Sequence, residues 1–330
     1  MILVIASPGD DHAREVVPRC GRADRRPLVL DTSRYPLDMN VRHRFGSATG
    51  PAAAIELDGR LLDLSTVGVV WWRRPGSFTL DPALDADVAT FAYSECAEAV
   101  DGLWASLDAA WVNPVAADAA AHHKPYQLTV ADRVGLSIPR TLMTNDAEAA
   151  RDFVSEVGLG KVVYKTFLAT RAHWRETRLL RREELTLLEH LRHAPAIFQE
   201  RIDAVADVRV TVVGDELFAT EITTSPGTYE LDYRMALGSA RLRATSVSDE
   251  TEGAIRALMR ELGLVYGAID LLRTTDGAEV FLEINPAGEW LFAQARTGQD
   301  ISGAMAALLV RLDDGTAAAT VAGAGQEAGA

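Results

Sequence analysis

Cysteine is scarce in this chain. Cys20 and Cys96 are the only two in 330 residues and form no CxxC pair, so a thiolate metal site or dithiol motif is not expected and a reducing cytoplasm is the simpler setting. Positive charge is also scarce, with 33 Lys and Arg against 47 Asp and Glu, a formal net charge of −14. Proteins that hold nucleic acid through phosphate contacts are more often basic, so small molecules and peptides are the first partners to consider, and no nucleic acid is expected. No apolar run is long enough to cross a bilayer, and MILVIASPGDD lacks the basic start and the length of a signal peptide. A soluble protein without a membrane partner is expected. GxGxxG is missing after the first strand, where SPGDD stands, so the N-terminal region should not hold the nucleotide site. GxSxG, GxxxxGK(S/T) and HRDxxxxN are absent too, which argues against a nucleophile elbow and against a kinase.

What is present is 48% apolar residues, enough for a substantial core, over a length that suits two or three domains. MILVI, PLVLDT and VGVVWW read as strands alternating with helical stretches, one from about residue 85 to 107. That pattern predicts a small α/β domain with a largely parallel sheet over residues 1–113. Beyond WVNPVAAD, the stretch AAHHKPYQLTVADRVGL reads as a helix and IPRTLMT as a short strand. DAEAARDFVSEVG is a helix, VVYKTF a strand, REELTLLEHLRHA a helix and AIFQERI a strand. A hairpin around Gly214-Asp215 spans residues 208–224, and a final hairpin follows SDETEGAIRALMRELGL. The expected divisions are therefore 1–113, 114–190 and 191–312, with residues 313–330, small and aperiodic, forming a disordered tail.

The last hairpin carries the chemistry. Asp276-Gly277 suits a two-residue type I′ turn, and with that turn opposing residue numbers sum to 553, which sets Asp270 of YGAID opposite Glu283 of VFLEINPAGEW. Like charges at directly opposed positions are destabilising, so a cation should lie between them. Asn285 shares the face of Glu283 and adds a neutral oxygen. Two carboxylates and an amide oxygen favour Mg²⁺ or Mn²⁺ over zinc, and magnesium commonly completes its shell with substrate phosphates. Pro286 then ends the strand. The alternative is a pair of solvated carboxylates on an exposed face.

Two lysines stand where phosphate chemistry would use them. Lys165 lies in VVYKTF among apolar neighbours and should have an anionic partner, either a nucleotide phosphate or, if it lies at a strand edge, water. Lys124 in HHKPYQL, taken alone, reads as a surface residue. Together with FQERI, Asp207 and Arg209, YELDYR, AID and FLEINPAGEW, these lysines occur in the order found in ATP-grasp ligases. More narrowly the chain resembles the ribosomal-peptide maturases that make graspetides, the microviridin-type macrocyclases, on WWRRP at 71–75, KPYQL and NPAGEWLF.

The resemblance implies an ATP-grasp fold, α/β and α+β, with an N-terminal Rossmann-like pre-ATP-grasp domain. It implies that Lys124 and Lys165 hold ATP phosphates, that the backbone of Glu200, Arg201 and Ile202 meets adenine, and that Asp207 binds the ribose. Arg209 would neutralise the transferring phosphoryl group, Asp270, Glu283 and Asn285 would hold Mg²⁺, and the partner would be a precursor peptide with a leader, acted on by a homodimer. Arg234 in LDYR is a candidate for orienting a substrate carboxylate, or else a partner of Asp232. The segment FLATRAHWRETR departs from the glycine-rich loop of many relatives. Its Arg171, Arg175 and Arg178 either clamp an anion or form a basic exposed loop, and Glu289 stands where the family often has Gln. Arg73 and Arg74 end a strand where α/β sheets present ligand groups, and could equally form an interdomain contact with the tryptophans. VRVTVVGDELFATEI offers either an edge for a leader peptide or the floor of the nucleotide site. The rival readings are a ligase joining an amino acid or amine to a free carboxylate, and a binding protein without turnover.

Overall fold

The computed structural model describes residues 1–21, 27–46, 52–168, 177–224 and 233–327, with side chains as far as residue 316. Strand Ile2–Ala6 is buried along its whole length. It lies between Leu28–Leu30 and Val69–Arg74 in a parallel sheet that Ala110–Val112 completes. Strands covered on both faces carry unbroken apolar runs, which is why MILVI and VVWW do not alternate. Val100, Leu103 and Trp104 of helix Ala86–Ser106 cover one face; Val16 and, from the last helix, Met305 and Leu309 cover the other. The parallel α/β sheet expected for the first 113 residues is thus present. A three-stranded antiparallel sheet, Met39–His43, Ala53–Leu57 and Arg60–Asp63, is an addition that the sequence pattern did not predict, because its strands are short and largely half-exposed.

Two antiparallel sheets follow. The first runs Arg178–Leu179, Val162–Lys165, Ala196–Glu200, Thr141–Thr144, and the second Arg241–Thr245, Glu216–Thr223, Ala204–Val213, Tyr266–Thr274, Glu279–Asn285. The first is backed by helix Ala147–Val157 and by Arg182–His193, which is 3-10 rather than α-helical. Helices Lys124–Arg133 and Asp249–Leu262 back the second. The single helix expected over AAHHKPYQL breaks at His122-His123 into Val115–Ala121 and Lys124–Arg133. Pro125 explains the break, since proline belongs in a first turn, where its missing N–H is not needed.

The disordered tail is also corrected: the last helix runs Ile301–Glu327. Asp313 is buried and accepts the Met1 ammonium at 2.6 Å, and Thr316 Oγ1 donates to Gly68 O at 3.0 Å. Alanine has the highest helix propensity of any residue, a signal that hydrophobic periodicity does not register. Among the described residues no helix is long and apolar enough to cross a membrane.

The parallel sheet and the five-stranded sheet are tied together at Asn113. Its Oδ1 accepts the Val265 and Tyr266 N–H groups, both at 2.8 Å, while Nδ2 donates to Tyr266 O at 2.9 Å and Pro286 O at 3.1 Å. An unpaired buried polar group costs about 1–3 kcal/mol. Asn113→Ala orphans two donors and two acceptors, so a loss of at least about 3 kcal/mol is expected in urea unfolding. A loss below about 1 kcal/mol would remove Asn113 from this role.

Candidate active site

Three neighbouring strands place a row of charge across the five-stranded sheet. Arg209 stands opposite Asp270 and donates Nη1–H to Oδ1 at 2.7 Å; Asp270 in turn stands opposite Glu283. The expected Asp270–Glu283 pairing is therefore present, but by a different route. The turn takes three residues, not two: Thr274 N–H bonds Ala278 O at 2.9 Å, Gly277 N–H bonds Thr274 O at 3.0 Å, and Gly277 has φ 87°. Opposing numbers next to the turn sum to 552, as in Arg273 with Glu279, until a bulge between Asp270 and Leu271 takes in Leu282 and restores the other register. Bulges beside active sites re-aim side chains, and here Leu282 lines the cavity next to the Glu283 position.

Lys124 opens the helix Lys124–Arg133 and bonds the Glu283 carboxylate. It is no surface lysine, with its side chain 21% exposed. Gln127, one turn on, fixes that helix to the edge strand: Nε2 donates to Ile284 O at 2.8 Å and Oε1 accepts Ile284 N–H at 3.1 Å. Burial pushes the Glu283 carboxyl up, but the Lys124 and Lys165 ammonium groups prevail and hold it down at about 2. Lys165 donates to Gln199 Oε1 at 3.1 Å, and burial lowers its pKa against the pull of Glu283. Arg234 is exposed in the turn Tyr233–Met235, and its charge acts on both Lys165 and Glu283. Tyr233 adds a second donor to Asp270 Oδ1, at 3.3 Å.

A cavity of about 340 Å³ lies between the two antiparallel sheets beside this row. Lys165, Glu200, Arg201, Ile202 and Asp207 all line it, with Ile222 from the neighbouring strand. Glu200 N–H is bonded to Arg140 O and Arg201 N–H to Lys161 O, both at 2.8 Å, which leaves Ile202 N–H as the one of the three without a backbone partner among the described residues. The 208–222 hairpin does not offer a free edge, because Glu216–Thr223 pairs with Arg241–Thr245. Its place beneath the cavity is the alternative that the geometry supports.

The turn after Asn285 is held from the N-terminal domain. Arg73 is 1% exposed and donates Nη1 to Ala287 O at 2.7 Å and Gly288 O at 3.0 Å, with its guanidinium 5.5 Å from the Trp290 ring. Arg74 bonds Glu289 at 2.7 Å and Ala287 O at 3.2 Å. Of the two readings for these arginines, the contacts favour the interdomain one: Arg73 is sealed between the domains, and Arg74 is engaged on the same turn. Arg178 is exposed and stands opposite Tyr164, on the face away from Lys165, which favours the exposed-loop alternative for it. Arg171, Arg175 and Asp232 lie outside the described residues. His122 and His123 are exposed.

Among the described residues no group of three or more His, Cys, Asp or Glu gathers. Asp270, Glu283 and Asn285 form a smaller, all-oxygen set whose donors fit a hard divalent cation. Glu283 stays ionised; among the described residues both bonds to Asp270 fall on Oδ1, and Asn285 Oδ1 accepts the Ala287 N–H alone, at 2.9 Å. Sequence reasoning missed Asn113, Gln127, Tyr233 and His12. Gln127 and Tyr233 fall inside the quoted motifs KPYQL and YELDYR, so the signal was there without a role attached to it.

Two antiparallel sheets closing on a cavity that both lysines approach define an ATP-grasp protein. Residues 121–309 match the RimK-like ATP-grasp domain and residues 1–119 the MvdD pre-ATP grasp domain; the chain belongs to the RimK-like ATP-grasp family. It is similar to the macrocyclase MdnC from Microcystis aeruginosa MRC bound with precursor peptide MdnA, at 30% identity, TM-score 0.83, over 94% of this chain and 98% of that one. A RiPP-associated ATP-grasp ligase of Chryseobacterium gregarium, in complex with ADP and a leader and core peptide, gives 25% identity and TM-score 0.84 over 93% and 96%. Among curated relatives, a probable alpha-L-glutamate ligase of Hahella chejuensis is 28% identical over 198 residues, 58% of this chain. The chain spans 64% of that relative's length.

The Lys124–Glu283 pair has a pH signature. A carboxyl whose pKa falls from 4.5 to about 2 on folding adds stability that is complete above pH 4.5 and is lost as pH falls toward 2. Lys124→Met should shrink that increment, so the wild-type minus variant difference in urea unfolding should narrow across this window. A difference that stays flat would rule the pair out as the cause.

Proposed function

We propose that this protein is an ATP-dependent carboxylate ligase that closes macrocycles within a ribosomally made precursor peptide carrying a leader. The observation that carries this reading is the convergence of Lys124, Lys165, Arg209 and Arg234 on the Asp270–Glu283 pair, beside a cavity between the sheets that Lys165 itself lines. The likeness to peptide macrocyclases over nearly the whole chain supports the peptide as substrate.

ATP would enter the cavity as substrate, with adenine against the backbone at Glu200 and Ile202 and the ribose at Asp207. Lys124 and Lys165 would take its phosphates. Asp270, Glu283 and Asn285 would hold Mg²⁺, or Mn²⁺ in its place, which when bound neutralises phosphate charge during transfer. An Asp or Glu side chain of the peptide, oriented by Arg234, attacks the γ-phosphorus; the bond to the β-phosphate breaks and ADP leaves, giving an acyl phosphate. Arg209 spreads the developing negative charge. A Thr or Ser hydroxyl, or a Lys amine, then attacks the acyl carbon, loses its proton and expels phosphate, forming an ester or an amide. The protein needs no nucleophile of its own. The free, buried cysteines suit a cytoplasmic enzyme.

The curated relatives named as glutamate ligases favour a second reading, in which a free amino acid is the acceptor. Incubation with ATP, Mg²⁺ and the precursor peptide encoded nearest the gene, followed by intact-mass measurement, separates the two. Leader-dependent loss of one water mass per ring, abolished by Glu283→Ala, is the expected result. An unchanged peptide, with ADP released only when free amino acids are added, would transfer the assignment to the second reading.

A further inference from the structure

The N-terminal domain reaches the site through a histidine that the proposed chemistry leaves unused. His12 lies in helix Asp11–Val16, capped by Asp10. Its ring is 6% exposed and packs edge-on against Trp290, centroids 4.4 Å apart. Nε2 accepts Trp290 N–H at 3.0 Å and Leu291 N–H at 3.4 Å. These N–H groups open helix Leu291–Thr297, and Trp290, its N-cap, makes no side-chain capping bond. The first N–H groups of a helix need outside acceptors, and another domain supplies one here.

The held point has two arms. Toward the N-terminus, the turn leads back through Gly288 and Ala287 to Asn285. An added Cβ at Gly288 would stand 2.3 Å from Ala268 Cβ, so the turn lies hard against the strand carrying Asp270. Toward the C-terminus, Phe292 lies 5.9 Å from the Arg209 guanidinium and 6.5 Å from the Tyr233 ring, the two groups that donate to Asp270. The charges acting on His12 are Asp10, Arg73, Arg74 and Glu289; burial, then Arg73, bring its pKa down to about 4. At neutral pH the ring is uncharged and one nitrogen is free to accept.

We propose that His12 is a positioning residue for the ligase site: by accepting at Trp290 and Leu291 it sets both the turn carrying Asn285 and the Phe292 support beneath the donors to Asp270. The proposal rests on the ligase reading above. Calorimetric binding of ADP with Mg²⁺ to the full chain tests it without turnover. His12→Leu should weaken binding about tenfold, the scale of lost support behind a metal ligand. His12→Gln, which keeps an acceptor, should restore most of it, whereas a merely space-filling role would make the two variants alike. Equal affinity for wild type and His12→Leu, or no rescue by Gln, overturns the proposal. A wild-type chain that binds no Mg–ADP overturns the ligase reading and this one with it. Should His12→Leu not fold, ¹⁵N NMR of the wild-type ring decides: the expected tautomer carries its proton on Nδ1, and a protonated Nε2 at neutral pH defeats the proposal.

Discussion

Two carboxylates at directly opposed positions on neighbouring strands repel each other, and most of the site answers that repulsion. Asp270 and Glu283 occupy such positions. Arg209 sits across the strand from one, and Lys124 on the other, with Lys165 and Arg234 close enough to act on Glu283. Breaking a buried ion pair by removing one partner is worth roughly 3–5 kcal/mol because it strands the other charge, so these cations cannot be changed independently of the carboxylates. The sheet supplies the spacing and the helices supply the counter-charge.

The rest of the fold keeps that arrangement in place. Among the described residues the edge strand Glu279–Asn285 meets no further strand, only a single bridge at Ser137, and Gln127 takes over part of that function by bonding both the N–H and the C=O of Ile284. Because Lys124 starts the same helix, one side-chain amide sets the distance from ammonium to carboxylate. Beyond Asn285 the chain turns sharply, and its carbonyls are accounted for one by one: Pro286 by Asn113, Ala287 by Arg73 and Arg74, Gly288 by Arg73 and Tyr266, Glu289 by Arg209. Buried backbone groups require partners, and most of these come from the N-terminal domain. That domain thereby holds in place the turn that follows Asn285.

The sequence showed the strands and the charges they carry more clearly than the connections between them. Asp270, Glu283 and Lys165 were visible because a charge inside an apolar run contradicts its surroundings. The pairing of Asp270 with Glu283 was reached through two compensating differences, a turn one residue longer than Asp-Gly suggests and a bulge at Leu282. Turn chemistry is local, whereas a bulge is decided by what packs on both faces of the sheet, so periodicity carried no sign of it. Arg73 shows the same limit. An arginine at the end of a strand has the same pattern whether it meets a ligand or a carbonyl, and only the position of Trp290 in space distinguishes them. Asn113 and His12 stood in unremarkable stretches, since their partners lie more than 150 residues away.

The charge row also constrains how substrates enter, on the proposed chemistry. A divalent cation arriving alone at Glu283 would displace Lys124 and leave an ammonium partly buried without an anion. A polyphosphate arriving alone would draw Lys124 and Lys165 away and leave Asp270 and Glu283 facing each other with less neutralisation. Each half-step creates the uncompensated charge that low-dielectric surroundings penalise most. Cation and polyphosphate together exchange every pair at once, carboxylates to metal and ammonium groups to phosphate. Such an exchange couples the two bindings, and by linkage each strengthens the other equally. On that chemistry, the same ion pairs that hold the site together therefore favour the metal–nucleotide complex over either component.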